Sequence, residues 1–252
     1  MPHAGNDFFL CGIRHFLPRF MFQFKQFSIQ QDRTPMKVGT DGVLLGAWTD
    51  LEKATRILDI GTGTGLIALM SAQRNATAHI DALEIDPDAI GQARENVAAS
   101  PWADRINIIS LSLQQYDSPV PYDCIVCNPP YFTQSTKTPH PGRTLARHND
   151  TLPHRELIEH SKRLLSPEGN FQVILPVLEA MQLIEYAKAS RLYPVRITKV
   201  IPNPGKPPKR YLIKFSATSQ EYSEDELIIE YKRHLYSPEY VRLTKSFYLN
   251  FN

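Results

Sequence analysis

From residue 54 onward the chain repeats one rhythm: a short apolar run, a polar break, an amphipathic stretch of helical length, then another apolar run. Few architectures satisfy it. Short strands separated by crossover helices build a mainly parallel sheet covered on both faces. The runs Arg56 to Ile60, His79 to Ile85, Ile106 to Ser110, Asp123 to Cys127 and Phe171 to Leu175 are the expected strands, each bounded by polar or Gly/Pro punctuation. Asp86-Pro87 opens a helix to about Ala99, because an Asp N-cap accepts backbone N–H groups and proline at the first helical position gives up no needed donor. Further helices are expected from about Pro153 to Leu165, stopped by Pro167 and Gly169, and from about Val177 to Ser190. Tyr193 to Ile201 and Arg210 to Ser216 read as an antiparallel hairpin, since the four prolines and one glycine of residues 202–209 exclude regular structure between them.

The flanks are less regular. Alternating phenylalanines over Met21 to Phe27 suggest a strand, and residues 1–20, which lack a period, are read as an N-terminal extension to a single domain over 21–252. Glu221 to Glu226 is expected to be a surface loop, and Ser237-Pro238-Glu239 a cap and first turn opening a last helix through Leu249.

Composition removes several classes of function. No stretch approaches the roughly 18 apolar residues that a membrane span needs. The aromatic run Phe8 to Phe24 is broken by Arg14, His15 and Arg19 and lacks the form of a secretory signal, so a cytoplasmic location is expected. Cys124 and Cys127, three apart in a strand, point to opposite faces and suit buried thiols, and His140, His148 and His154 lack ligand spacing; no metal is expected. No oligomer is predicted. The net charge of +2 hides an asymmetry: residues 41–126 carry twelve acids and five bases, whereas 191–215 carry seven bases (Arg191, Arg196, Lys199, Lys206, Lys209, Arg210, Lys214) and no acid. Such a segment fits either a polyanion or solvent.

The sharpest local signal is Ile57-Leu58-Asp59-Ile60-Gly61-Thr62-Gly63-Thr64-Gly65-Leu66, a strand entering a glycine loop and then a helix. In a doubly wound sheet such loops border ligands at the carboxyl ends of the strands. The spacing Gly61-x-Gly63-x-Gly65 differs from the dinucleotide fingerprint, and Asp59 would repel a pyrophosphate while suiting an ammonium or a sulfonium. Glu84, about twenty residues after the loop, is placed to accept bonds from two ribose hydroxyls. These residues resemble the class I S-adenosylmethionine-dependent methyltransferases. That likeness implies a Rossmann-like, doubly wound α/β fold with a mostly parallel seven-stranded sheet and a late antiparallel hairpin. It also implies a cofactor site drawing on Asp59, Gly61, Thr62, Gly63, Gly65, Glu84 and Ile85. After the third strand, where the family often carries an acid, this chain offers Ser112 and Leu113.

Asn128-Pro129-Pro130-Tyr131 follows the expected strand Tyr122 to Cys127 directly. Two prolines fix the backbone and remove two N–H donors, leaving carbonyls aimed at one place beside an Asn amide. An exocyclic amine is a poor nucleophile because its lone pair is delocalised into the ring. Acceptors on both its hydrogens, from Asn128 and the Pro129 carbonyl, favour the geometry that frees that pair, while Tyr131 offers a stacking face. The motif is similar to that of amino-methyltransferases acting on adenine, guanine or a glutamine amide. Together with Phe22 to Phe27, Met36 to Trp48, Pro202 to Arg210 and Tyr236 to Tyr240, it resembles the bacterial tRNA1(Val) (adenine(37)-N6)-methyltransferase family over roughly residues 21–250. The resemblance implies that Lys37, Thr40 and Asp41 border the methionine end of S-adenosylmethionine, with Asn128 close by, and that the partner is the anticodon stem-loop of a valine tRNA. Lys206, Lys209 and Arg210, with Arg143, Arg147 and His148, are then the expected phosphate contacts, and residues 132–150 a lid over the base. A ribosomal RNA guanine, a DNA adenine and a protein glutamine are the alternative acceptors.

Overall fold

Alternation within the central strands sets the layering. In β3 (Arg56–Ile60) and β6 (Tyr122–Cys127), Ile57, Cys124 and Val126 face one apolar cluster, while Leu58, Ile60, Ile125 and Cys127 face another. The two buried cysteines therefore lie on opposite faces, as their spacing predicts. The computed structural model describes residues 20–34, 36–130 and 152–251. One face is covered by α1 (Thr40–Trp48), α2 (Leu66–Arg74) and α3 (Pro87–Ala98), and the other by α4 (His154–Leu164) and α5 (Val177–Ala189).

Between these helices run β4 (His79–Glu84), β5 (Ile106–Ser110), β7 (Leu165–Pro176), β8 (Tyr193–Ile201), β9 (Arg210–Ser216) and β10 (Ser223–Ile228). The sheet order is β10-β8-β9-β7-β6-β3-β4-β5, and only β9 runs antiparallel to its neighbours. The α/β, doubly wound, mostly parallel fold and the late hairpin are as expected. The sheet, however, has eight strands rather than seven. Its extra edge strand, β10, contains most of the acidic segment read above as a loop. Cross-strand ion pairs hold it: Lys199 to Glu224, and Arg196 to Asp225 at 3.0 Å.

Capping follows the sequence closely. The Asp86 side chain accepts from the Asp88 and Ala89 amides, and Ser237 caps α6 (Pro238–Thr244) by accepting from the Tyr240 amide at 3.0 Å. That last helix stops at Thr244 instead of Leu249, because Phe247, Tyr248 and Phe251 turn inward. There they meet Phe22, Phe24, Tyr236 and Tyr240 in an aromatic cluster. The expected strand Met21 to Phe27 is likewise shorter. β1 (Met21–Gln23) pairs with β2 (Ser28–Gln30), and Phe24 to Phe27 form the turn between them, closed by Phe24 N–H on the Phe27 carbonyl and by ring stacking at 4.7 Å.

Candidate active site

At the carboxyl end of β3 the chain enters the glycine loop, whose Gly61, Gly63 and Gly65 have φ of 70°, 57° and 83°. A side chain would strain each position. A Cβ built on Gly61 or Gly63 meets nothing within 4 Å, so that side of the loop faces open space. The loop is tied to the neighbouring strand, since the Gly61 and Thr62 amides donate to the Leu83 carbonyl. Glu84 Oε2 accepts from the Gly63 amide at 2.8 Å, and its Oε1 accepts from the Ile85 amide at 2.8 Å. The half-buried Glu84 thus sits against the loop at the end of β4.

Asp59 lies beneath the loop, not on its open side. It is fully buried, and Oδ2 accepts from Thr62 Oγ1 at 2.6 Å. Oδ1 makes no hydrogen bond, although the Ala68 amide is near enough to favour ionisation. Burial dominates these effects, and the nearby Glu84 charge adds to it, pushing the carboxyl up to about 7.

The open side of the loop forms one wall of a cleft of about 350 Å³. Opposite stand Met36 to Gly42, which include the expected Lys37, Thr40 and Asp41, and Asn128 completes the lining from the end of β6. Three distant stretches of chain, predicted separately, therefore converge here. Gly42 permits the approach: its Cβ would lie 3.0 Å from Leu66 Cδ2 and 3.7 Å from Asn128 Nδ2. The Lys37 ammonium is held by the Gln31 carbonyl and by that of Thr34 at 2.8 Å. Asp41 Oδ2 accepts from Arg210 Nε at 2.8 Å, linking the cleft to the β8–β9 hairpin.

Other expected residues stand elsewhere. Leu113 is buried in the apolar cluster of the α4–α5 face, and Ser112 anchors a turn by accepting from the Gln115 and Tyr116 amides through its carbonyl. Ile85 is exposed beside Glu84, and Leu111, not anticipated, is exposed at the end of β5. Met36, Val38, Thr64 and Ile67 also line the cleft and were not singled out, although they flank motifs that were. Pro129 is buried and Pro130 exposed after Asn128. Tyr131, Arg143, Arg147, His148, the lid at 132–150 and residues 1–19 lie outside the described residues.

Of the seven bases in 191–215, four are engaged within the fold: Arg196 with Asp225, Lys199 with Glu224, Lys214 with Asp50, and Arg210 with Asp41. Lys206 and Lys209 remain exposed on the 202–209 loop, which the topology places at the same end of the sheet as the cleft, the carboxyl end of the parallel strands. A second depression, lined by Asp50 to Glu52 and Arg74 to Thr77, opens at the opposite end of β3 and β4, away from the strand ends where ligands bind in such sheets. Among the described residues no helix is long and apolar enough to cross a membrane.

Residues 38–187 match the family model described as methyltransferase small domain. A tRNA1(Val) (adenine(37)-N6)-methyltransferase of Bacteroides fragilis is 51% identical over 231 residues, covering 90% of this chain and 97% of its own. The Flavobacterium psychrophilum enzyme of that name is 50% identical over 232 residues, covering 91% and 99%, and that of Aliivibrio fischeri 46% identical over 229 residues, covering 91% and 97%. Among solved structures, a protein of Agrobacterium tumefaciens described as a predicted O-methyltransferase superposes with a TM-score of 0.64 at 19% identity, covering 82% of this chain and 96% of that one. A glycopeptide N-methyltransferase complexed with S-adenosylmethionine superposes with a TM-score of 0.52 at 13% identity, covering 73% and 98%. These two likenesses concern the fold.

Proposed function

The chain belongs to the methyltransferase small-domain family and to the family of tRNA1(Val) (adenine(37)-N6)-methyltransferases, and on that premise we propose that it methylates the N6 amine of adenine 37 in tRNA1(Val), using S-adenosylmethionine. One observation carries the reading: Asn128, which opens the amine-binding motif, lines the same cleft as the glycine loop. Binding of the cofactor supplies a methyl group on a sulfonium, an electrophile that needs no metal.

The residues present fit that group. The open side of Gly61 and Gly63 admits a backbone-close ligand, and a cleft of about 350 Å³ falls at the lower end of small-molecule sites, about 300–1,000 Å³. Glu84, held against the glycine loop, would accept the ribose hydroxyls, and the exposed Ile85 and Leu111 would offer apolar surface to the adenine ring. Loss of the Glu84 carboxylate in Glu84→Ala is expected to raise the Kd for S-adenosylmethionine about 10- to 100-fold, the range for hydrogen bonds to a charged group. Calorimetry reads this directly, and an unchanged Kd would remove Glu84 from the cofactor site.

On the substrate side, the Asn128 amide oxygen and the Pro129 carbonyl accept the two hydrogens of the target amine and turn its lone pair toward the methyl donor. Tyr131 stacks on the base. No strong base is needed before transfer, because the substituted amine is cationic and acidic until its surplus proton leaves. Catalysis then rests on positioning and fixed dipoles. Lys206 and Lys209 take phosphates of the anticodon arm, which suits a cytoplasmic substrate.

The test is transfer of labelled methyl to unmodified tRNA1(Val), followed by nucleoside analysis. N6-methyladenosine at position 37 is the expected product. Label at another RNA base, or in protein, would keep the methyltransferase and discard this acceptor.

A further inference from the structure

Among the described residues, Lys206 and Lys209 are exposed bases outside any ion pair at the carboxyl end of the sheet's far strands. Two more lie on a second hairpin, β11 (Glu230–Lys232) and β12 (Leu235–Tyr236), which follows β10. Every residue from Tyr231 to Leu235 is exposed, and among the described residues no carboxylate pairs with Lys232 or Arg233. Two large nonpolar surfaces flank these bases, Tyr231 at 45% exposure and Leu235 at 55%. An exposed aromatic interleaved with unpaired cations is suited to a strand that offers phosphates and unstacked bases.

The hairpin is firmly placed. The Ile229 amide donates to the Ile201 carbonyl and the Glu230 amide to that of Pro202, while Asn203 Nδ2 donates to the Glu230 carbonyl. The β11–β12 hairpin and the 202–209 loop therefore form one body. At the tip, His234 adopts φ of 64° and its amide donates to Glu230 Oε2 at 3.1 Å, which fixes the turn carrying Arg233. At about 4.8 Å per strand, the four steps from β6 to β10 set those two strands roughly 19 Å apart across the sheet, a reach of several nucleotides along a backbone.

We infer that the β11–β12 hairpin is a second RNA-binding surface, with Lys232 and Arg233 on phosphates and Tyr231 against an unstacked base or ribose of the same tRNA. This rests on the reading of the chain as a tRNA methyltransferase. Asn203 on the Glu230 carbonyl joins the hairpin to the 202–209 loop, and Arg210 on Asp41 joins the end of that loop to the cleft.

The experiment uses the full chain and the unmodified tRNA1(Val) transcript, with binding followed across salt concentrations. The Lys232→Ala/Arg233→Ala double variant is expected to weaken binding and raise KM for tRNA on the order of tenfold, and to reduce the slope of log K against log salt by about 1.5. Tyr231→Ala is expected to weaken binding about fivefold or more with the salt slope unchanged. The Kd for S-adenosylmethionine and the melting temperature should not move in either. RNA affinity and slope equal to wild type in the double variant would overturn the hairpin assignment, as would lost binding to phosphatidylglycerol vesicles with tRNA binding intact. Wild-type protein that binds this RNA without methylating it would overturn the proposed function and leave the hairpin standing. Wild-type protein that binds no RNA would overturn both.

Discussion

Replacing Asn128 with alanine is expected to lower kcat for methyl transfer by about 10²–10³-fold, the range seen when one preorganised polar group is removed from a transition state. The Kd for S-adenosylmethionine should stay nearly the same. Asn128 follows β6, the strand between β3 and β7, and the buried Pro129 holds the backbone that aims it. Alanine removes the acceptor but not the wall. The remaining Pro129 carbonyl holds one amine hydrogen, so the lone pair returns to the ring. Asn128→Asp keeps an acceptor oxygen and should retain more activity than the alanine variant. Stopped-flow single turnovers separate this effect from product release, and a normal single-turnover rate in Asn128→Ala would contradict the role.

The second large effect belongs to Asp59. Its carboxyl has a pKa of about 7 in the folded chain against an ordinary 3.8, chiefly because burial penalises the charge. The folded state therefore holds the extra proton between those values, and stability falls as pH rises from about 4 to about 7. At about 1.4 kcal/mol per unit, the loss is about 4 kcal/mol and is complete above the folded value. His154 works the other way, since burial lowers its pKa and its contribution grows as pH rises toward 6.5. The difference between wild type and Asp59→Asn cancels that background. Urea unfolding at pH 5 and pH 8 should show the wild-type chain losing several kcal/mol more than the variant. Parallel pH profiles would mean that Asp59 is ionised throughout.

Much of this was legible from residue order, and the exceptions have physical causes. β3, β5, β8, β9 and the Asp86 cap were readable because local propensity and tertiary context agree there. β10 was not, because Glu and Asp are poor strand formers until Lys199 and Arg196 on the neighbouring strand neutralise them. The end of α6 was missed because helical periodicity does not report that Phe247 is needed in a cluster with Phe24. β7 begins at Leu165, ahead of the expected Phe171. Pro167 and Gly169 read as breakers, yet a Cβ on Gly169 would lie 2.7 Å from the Tyr122 carbonyl, so only glycine fits that crossing. Of the residues expected at the site, Asn128 and the glycine loop carried motifs and line the cleft, whereas Leu113 had only a position in a pattern and is buried in an apolar cluster.

The acidic edge strand also bears on how a polyanion arrives. With Glu221 and Glu226, the acids of that segment in no ion pair among the described residues, near one flank and the bases Lys206, Lys209, Lys232 and Arg233 above the sheet's carboxyl end, the far edge carries a lateral electrostatic gradient. Such a field turns an approaching nucleic acid before any contact forms, and it weakens as counterions shorten its range. Encounters from the side are repelled while those from above are drawn in, so added salt should slow productive collision earlier than it shortens the lifetime of the complex.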